Sequence, residues 1–129
     1  MAQTEVTLAD ELRVHGRGQG VLPKFAAFGG SSSGDITVVG AVAGHRIRVI
    51  GGFWQALSTC NIYWASGAGG TAIAGSSGAR MANAANGGMV LPIDPTGKGY
   101  FESSDGAALV VNANTSGLSG AVTYFELQP

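Results

Sequence analysis

The sequence is poor in charged residues, in cysteine and histidine, and in long apolar runs. Charged residues make up 12% of its 129 positions, whereas an average soluble domain carries about 25%. Seven basic and eight acidic side chains give a formal net charge of −1. The basic residues are scattered, which argues against nucleic acid or an anionic membrane as a partner. No apolar stretch approaches the roughly 18 residues of a membrane-spanning helix.

The reactive side chains are too few and too dispersed to predict a catalytic centre. Cys60 is the single cysteine, which excludes a disulfide within the chain, and we expect it to be a small buried hydrophobic residue. Its thiolate would need a base, but neither His15 nor His45 lies in a nucleophile motif. His45 has no second His or Cys at metal-ligand spacing. We therefore expect no enzyme, no cofactor and no metal ion.

Three acidic residues, Asp94, Glu102 and Asp105, lie close together in the sequence. Calcium loops place oxygen ligands at alternate positions in one tight run, and this stretch does not. Asp94 and Asp105 instead head short segments that contain glycine, which is the composition of a turn. These residues are therefore expected to have a structural role.

Glycine is abundant, with 22 residues, and it separates short segments that are apolar or alternating. Strands and turn signals that recur about every 8–12 residues are typical of a β-sandwich or barrel. About eight antiparallel strands is the number in a jelly roll. We predict an all-β fold, an antiparallel jelly-roll-like sandwich, with Gly51-Gly52 and Asn86-Gly87-Gly88 among its turns. The predicted strands are residues 36–43, 46–53, 61–65, 71–74, 80–83, 89–93, 99–103, 107–112 and 121–127.

Residues 1–35 differ from the rest and are predicted to form an arm and a linker ahead of a sandwich domain of residues 36–129. Part of the arm could form one or two helical turns with Leu8 and Leu12 on one face, or it could be extended. Glycines at positions 16, 18 and 20 would end any helix. A brief strand is expected around Phe25, and residues 29–34 have the composition of a flexible connector.

Strand periodicity also predicts which side chains face outward. Ile47 and Val49 point to one side of their strand, while Arg46 and Arg48 point to the other, toward solvent or a partner. Adjacent aromatic residues follow the same rule, because one member of each pair must point away from the core. Three outward aromatic rings on a small domain predict a second, covered face and therefore assembly. The pairs are Tyr63 and Trp64, Tyr100 and Phe101, and Tyr124 and Phe125.

Five phrases of the sequence, in this order, resemble small virion proteins of tailed bacteriophages. They are residues 42–50 (VAGHRIRVI), 66–75 (SGAGGTAIAG), 84–92 (AANGGMVLP), 106–112 (GAALVVN) and 120–124 (GAVTY). The resemblance covers residues 36–129, about three quarters of the chain, and carries no catalytic motif. It implies a jelly-roll-like sandwich on the capsid exterior: a head decoration (cement) protein that forms a homotrimer and braces the major capsid protein.

The residues expected to make contacts belong to the arm and to the outward faces of strands. The arm is expected to hold the capsid or a neighbouring copy. An alternative is a carbohydrate-binding module on a tail or fibre, which would stack sugars on exposed aromatic rings, Trp64 among them. The candidate contact residues are Leu8, Leu12, Arg13, Arg17, Phe25, Phe28, Arg46, Arg48 and Tyr63.

Overall fold

The computed structural model of the chain describes residues 22–30, 32–115 and 117–128. All regular structure in these residues is β, as the glycine-punctuated apolar segments predict, and they contain no helix able to cross a bilayer. The strands are β1 Lys24–Gly30, β2 Gly34–Val39, β3 Arg46–Ala56, β4 Cys60–Ser66, β5 Thr71–Ala74, β6 Met81–Asn83, β7 Gly88–Leu91, β8 Phe101–Glu102, β9 Leu109–Ala113 and β10 Leu118–Leu127.

The strands form two antiparallel sheets. The first sheet has the order β1-β10-β3-β7, with β8 also on β3, and the second has the order β2-β9-β4-β5, with β6 also on β4. β7 and β8 pair with successive parts of β3, and β5 and β6 with successive parts of β4. Each such pair therefore fills one position, which leaves eight positions in all. When these eight positions are numbered along the chain, the first pairs with the last, the second with the seventh, the third with the sixth and the fourth with the fifth. This is the winding of a jelly roll and confirms the predicted fold class.

The sandwich begins earlier than the sequence predicts. β1 pairs with β10 over its full length, from Lys24 opposite Tyr124 to Gly30 opposite Leu118. The boundary expected at residue 36 is therefore too late, because Gly29 and Gly30 belong to β1 and Gly34 begins β2. The glycine composition of this segment was misleading. A Cβ on Gly30 would lie 2.5 Å from Ile36 Cδ1, so the glycine leaves space for the Ile36 side chain. The glycine permits close packing of β1 against β2 rather than flexibility.

β3 runs straight through the glycine pair that the sequence marks as a turn. Opposite it, the register of β10 shifts between Thr123 and Tyr124, which pair with Gly51 and Val49. Ile50 is therefore the extra residue of a β-bulge, and a bulge reverses which side chains face inward beyond it. Ile47 and Val49 lie in the core before the bulge, whereas Trp54 and Ala56 do so after it.

The core lies between the sheets and is centred on Trp64, which is fully buried. The Trp64 ring meets Phe28 edge-on at 5.6 Å between centroids, Trp54 at 5.5 Å and Phe101 at 5.1 Å. Such offset and edge-to-face contacts are the favourable geometries for aromatic rings. Cys60 is buried beside this cluster, as expected.

One buried polar side chain organises the end of the core. Asn83 Oδ1 accepts a hydrogen bond from Trp54 Nε1 at 3.3 Å, and Asn83 Nδ2 donates to the Cys60 carbonyl at 3.1 Å. Asn83 thus links the first sheet to the second, because Trp54 belongs to β3 and Cys60 to β4.

Candidate functional site: the outer face of the first sheet

Directly paired residues in a sheet point to the same side, so the register defines what each face carries. Phe28, Gly120 and Trp54 form one inward row of the first sheet. The neighbouring rows must point outward. They are Ala27–Ala121–Phe53–Val90 and Phe25–Thr123–Gly51.

Large apolar side chains on these outward rows are exposed. Phe25 is 67% exposed, Phe53 51%, Val90 73% and Ile93 49%. Ile93 joins them because it lies over Gly51, where an added Cβ would stand 2.6 Å from Ile93 Cδ1. We call this surface the apolar face: Phe25, Ala27, Gly51, Phe53, Val90, Ile93, Ala121 and Thr123. A cluster of exposed apolar side chains of this kind is a candidate contact surface for another polypeptide.

The apolar face contains no charged residue and has polar borders. At one end lies the outward row that contains Ser119 and Gln55. At the other end, beyond the bulge, lie Arg48 of β3 and Glu102 of β8, which pair directly with each other. A partner for the apolar face should therefore be mostly uncharged where it touches, since an unpaired charge buried there would lose its hydration.

Arg46 and Arg48 point outward, as the alternation predicts, and both are held in ion pairs within the chain. Arg48 Nε donates to Glu102 Oε2 at 2.8 Å and Arg48 Nη1 to the Gly97 carbonyl at 3.0 Å. Arg46 pairs with Glu102 at 3.2 Å and with Asp105 at 2.9 Å. The acids come from a segment more than fifty residues further along the chain, which strand periodicity cannot reveal.

Three of these four side chains border a shallow depression of about 390 Å³, which is lined by Arg46, Glu102, Ser103, Ser104 and Asp105. Arg46 pairs with both acids of this lining, Glu102 and Asp105. The described residues also include no cluster of three or more His, Cys, Asp or Glu that could hold a metal ion.

The two arginines determine the protonation of Glu102. Partial burial alone would raise the pKa of this carboxyl group, but the hydrogen bonds and charges of Arg48, and then of Arg46, outweigh burial and lower the pKa below its ordinary value of 4.5. The folded protein therefore holds Glu102 as a carboxylate more strongly than the unfolded chain does.

This lowered pKa predicts acid destabilisation. When the pH falls below 4.5, the unfolded chain protonates Glu102 first, so the free energy of unfolding declines until the pH passes the lower folded pKa. We expect Glu102→Gln to flatten the loss of stability between about pH 5 and pH 2 in urea titrations. Arg48→Gln keeps the carboxyl group but removes its main partner, and should flatten the same curve. Variant curves parallel to that of the parent would show that the ion pairs do not shift this pKa.

The loop between β7 and β8 carries the predicted turn and holds Ile93 in place. Gly97 N donates to the Asp94 carbonyl at 3.2 Å, which confirms the turn. The Asp94 carboxylate accepts from Thr96 Oγ1 at 2.7 Å, Thr96 N at 2.9 Å and Gly99 N at 2.8 Å. These bonds, that from the Thr96 hydroxyl first, lower the pKa of Asp94. Asp94 N and Tyr100 N in turn bond the Ile50 and Val49 carbonyls at 2.8 Å, which fastens the loop to β3.

The remaining predicted contact residues are placed as follows. Phe28 is 8% exposed and belongs to the core, so it is not a contact residue. Tyr63 points outward from the second sheet, but the Arg80 guanidinium covers its ring at 4.8 Å. Phe25 lies on the apolar face. Leu8, Leu12, Arg13 and Arg17 lie outside the described residues.

Each adjacent aromatic pair places one ring outward, as predicted, but other residues of the same chain contact these outward rings. Tyr100 donates from its hydroxyl to the Pro92 carbonyl at 2.5 Å and keeps part of its ring exposed. Phe125 is fully buried in a second small cluster with Ile50 and Leu127. The exposed rings on the sheet face are Phe25 and Phe53 instead. Sequence reasoning did not identify Phe53, because without the bulge it would share the inward side with Ile47 and Val49.

No family model, no curated protein and no solved structure matches this chain. The jelly roll and its apolar face are therefore the features from which a function has to be derived.

Proposed function

We propose that this protein is a non-enzymatic structural protein of a virion, a decoration protein on the exterior of a tailed-phage head. It forms a homotrimer and bridges subunits of the major capsid protein. The apolar face carries the proposal, because four large side chains lie exposed on an uncharged sheet surface of an otherwise well-packed sandwich. Such a surface is suited to lie against other protein.

The fold and the sequence phrases support the same assignment. Jelly rolls occur in viral capsid proteins and in lectins, among others, so the fold alone does not specify a function. The sequence phrases that resemble small phage virion proteins favour a viral structural protein over a lectin. The charges of Arg46, Arg48, Glu102 and Asp105 are paired with one another next to the apolar face, so this border adds no net charge to it.

Mechanically, a filled head is weakest where capsid subunits meet, and a stiff sandwich across a joint adds interface there. Stable protein contacts bury about 1,200–2,000 Å² in total. The apolar face spans four strands and three residues along them, about 19 Å by 10 Å or 190 Å², so it can supply only part of such a contact. Residues 1–21 and the other copies of a trimer would supply the rest, and simultaneous engagement of several copies multiplies weak single contacts.

A sugar-binding role has less support from the same geometry. Trp64 is fully buried and Tyr63 lies under Arg80, so neither offers a stacking surface. Phe25 and Phe53 are exposed, but Thr123 is the only hydrogen-bonding side chain of the apolar face. Sugar recognition needs several polar groups around an aromatic ring.

Loading onto heads tests the proposal. Purified protein added to heads that lack it should bind saturably at hundreds of copies per particle, counted by quantitative mass spectrometry, and should raise the temperature at which heads release DNA. Phe53→Asp places a charge on the apolar face and should weaken binding by about tenfold or more, because burying that charge costs at least about 1.4 kcal/mol. Tyr63→Ala, on the other sheet, is the matched control and should load normally.

Two further outcomes bear on the proposal. A handful of copies per particle would place the protein on a tail or fibre and contradict a shell role, as would turnover of any substrate by the purified protein. Deletion of residues 1–21 leaves every described strand intact and should abolish loading if that segment holds the capsid. A deletion that reached residue 30 would remove β1 and would test folding instead.

A further inference from the structure

We propose that residues 1–21 of this chain, from the same or from a second copy, cover the apolar face in the free protein. The inference concerns the protein before it meets a shell, and it does not depend on the proposed function. It follows from the size of the apolar face, from the position of Leu22, and from the side chains of the segment itself.

The size of the apolar face argues against a second sandwich as its cover. Two faces of about 190 Å² each, pressed together, give about 380 Å², roughly a quarter of what stable interfaces bury. One chain segment fits better. Six extended residues span about 20 Å at 3.3 Å each, which matches the width of the four strands from Phe25 to Val90.

The described chain begins beside the apolar face. Leu22 is half-exposed and leads through Pro23 into β1, where Phe25 is the first residue on the outward side. Residues 15–21 can span up to about 24 Å, so residues 6–14 can reach every row of the apolar face. Glycines at positions 16, 18 and 20 allow the chain to reverse its direction in that interval.

The side chains of the segment match an uncharged, apolar surface. Leu8 and Leu12 are four positions apart, so they lie on the same side in either a strand or a helix. In an extended chain Val6 and Val14 join them, while Glu5, Thr7, Glu11, Arg13 and His15 point to the opposite side. Asp10 alone interrupts the apolar side. The segment can therefore place apolar groups on the apolar face and keep most of its charges in water.

Site-specific photocrosslinking in the full-length protein tests this placement. Benzoylphenylalanine in place of Leu12 should crosslink on irradiation to peptides that contain Phe25, Phe53 or Val90, as identified by mass spectrometry. The same probe in place of Glu11, on the opposite side of an extended segment, is the matched control and should give a several-fold lower yield at those positions. Phe53→Asp should reduce the Leu12 crosslink by a similar factor.

The crosslinked species also identify the copy that supplies the segment. A product of monomer mass means that the segment covers the face of its own chain, and a product of dimer mass means that copies exchange segments; both support the proposal. Crosslinks from Leu12 to the second sheet, or equal yields from Leu12 and Glu11, would overturn it. So would a probe at Phe53 that crosslinks to Phe25 of another copy, because the face would then be covered by a second sandwich. Head loading is a separate measurement, so either proposal can fail alone.

Discussion

Replacing Trp64 with alanine is expected to lower the free energy of unfolding by about 3–5 kcal/mol, the usual cost of removing a large buried aromatic side chain. Domains of this kind are stable by about 5–15 kcal/mol, so the variant should lose a large share of its stability and unfold at a clearly lower urea concentration. The reason is that Trp64 is fully buried and contacts Phe28, Trp54 and Phe101 of the opposite sheet. Urea unfolding followed by circular dichroism measures the loss without relying on tryptophan fluorescence.

The neighbouring residue provides the control. Tyr63→Ala removes a ring of similar size from the same strand, but from its outward side, where the ring contacts Arg80 at 4.8 Å. It should cost only about 1 kcal/mol. Trp64→Phe should cost less than Trp64→Ala, because Trp64 Nε1 makes no hydrogen bond to any described residue. Equal losses of unfolding free energy for Trp64→Ala and Tyr63→Ala would contradict the placement of Trp64 in the core and of Tyr63 on the outer side of β4.

Gly120→Ala is expected to destabilise the sandwich by about 3 kcal/mol, at the upper end of what overpacking a core usually costs. Gly120 lies in the inward row between Phe28 and Trp54, where the two large rings occupy the space above it. A Cβ there would collide with the Phe53 carbonyl oxygen and stand 2.8 Å from Trp54 Cα. Both are backbone atoms of the adjacent central strand, so β10 and β3 would have to separate.

Gly40→Ala is the matched control for this second substitution. A Cβ on Gly40 would meet no atom within 4 Å, and its backbone is not in the positive-φ region. The change should therefore lie within about 0.5 kcal/mol of the parent, or stabilise slightly by restricting the unfolded chain. Comparable losses at Gly40 and Gly120 in urea unfolding would contradict the close approach of β10 to β3.

Local pattern was enough to predict most of the strands. Residues 71–74 were predicted as a strand and form β5 with those bounds, and most other strands differ from their predictions by a few residues. The turn at residues 94–97 was also predicted correctly. Alternation of side chains and the turn preferences of Asp, Pro and Gly act over two to four residues, so a single segment of sequence contains the whole signal.

The predictions that failed or stayed incomplete concern residues whose strand-pairing or ion-pair partners lie far away in the sequence. Gly29 and Gly30 read as a connector until β10 pairs with them, and Gly51-Gly52 reads as a turn until the same strand extends β3 past it. Alternation along β3 places Arg46 and Arg48 on the outward side, but it does not identify their partners Glu102 and Asp105, which come from another part of the chain.

The apolar face shows what local sequence determines and what only the tertiary structure decides. Local sequence determines that Phe53 belongs to a strand and that its neighbours alternate in direction. Only the tertiary structure decides that Phe53 points outward, because the bulge at Ile50 exists through a register shift in β10, more than sixty residues away. Local preferences select strands and turns, whereas the pairing of strands across the chain selects which side chains are left exposed.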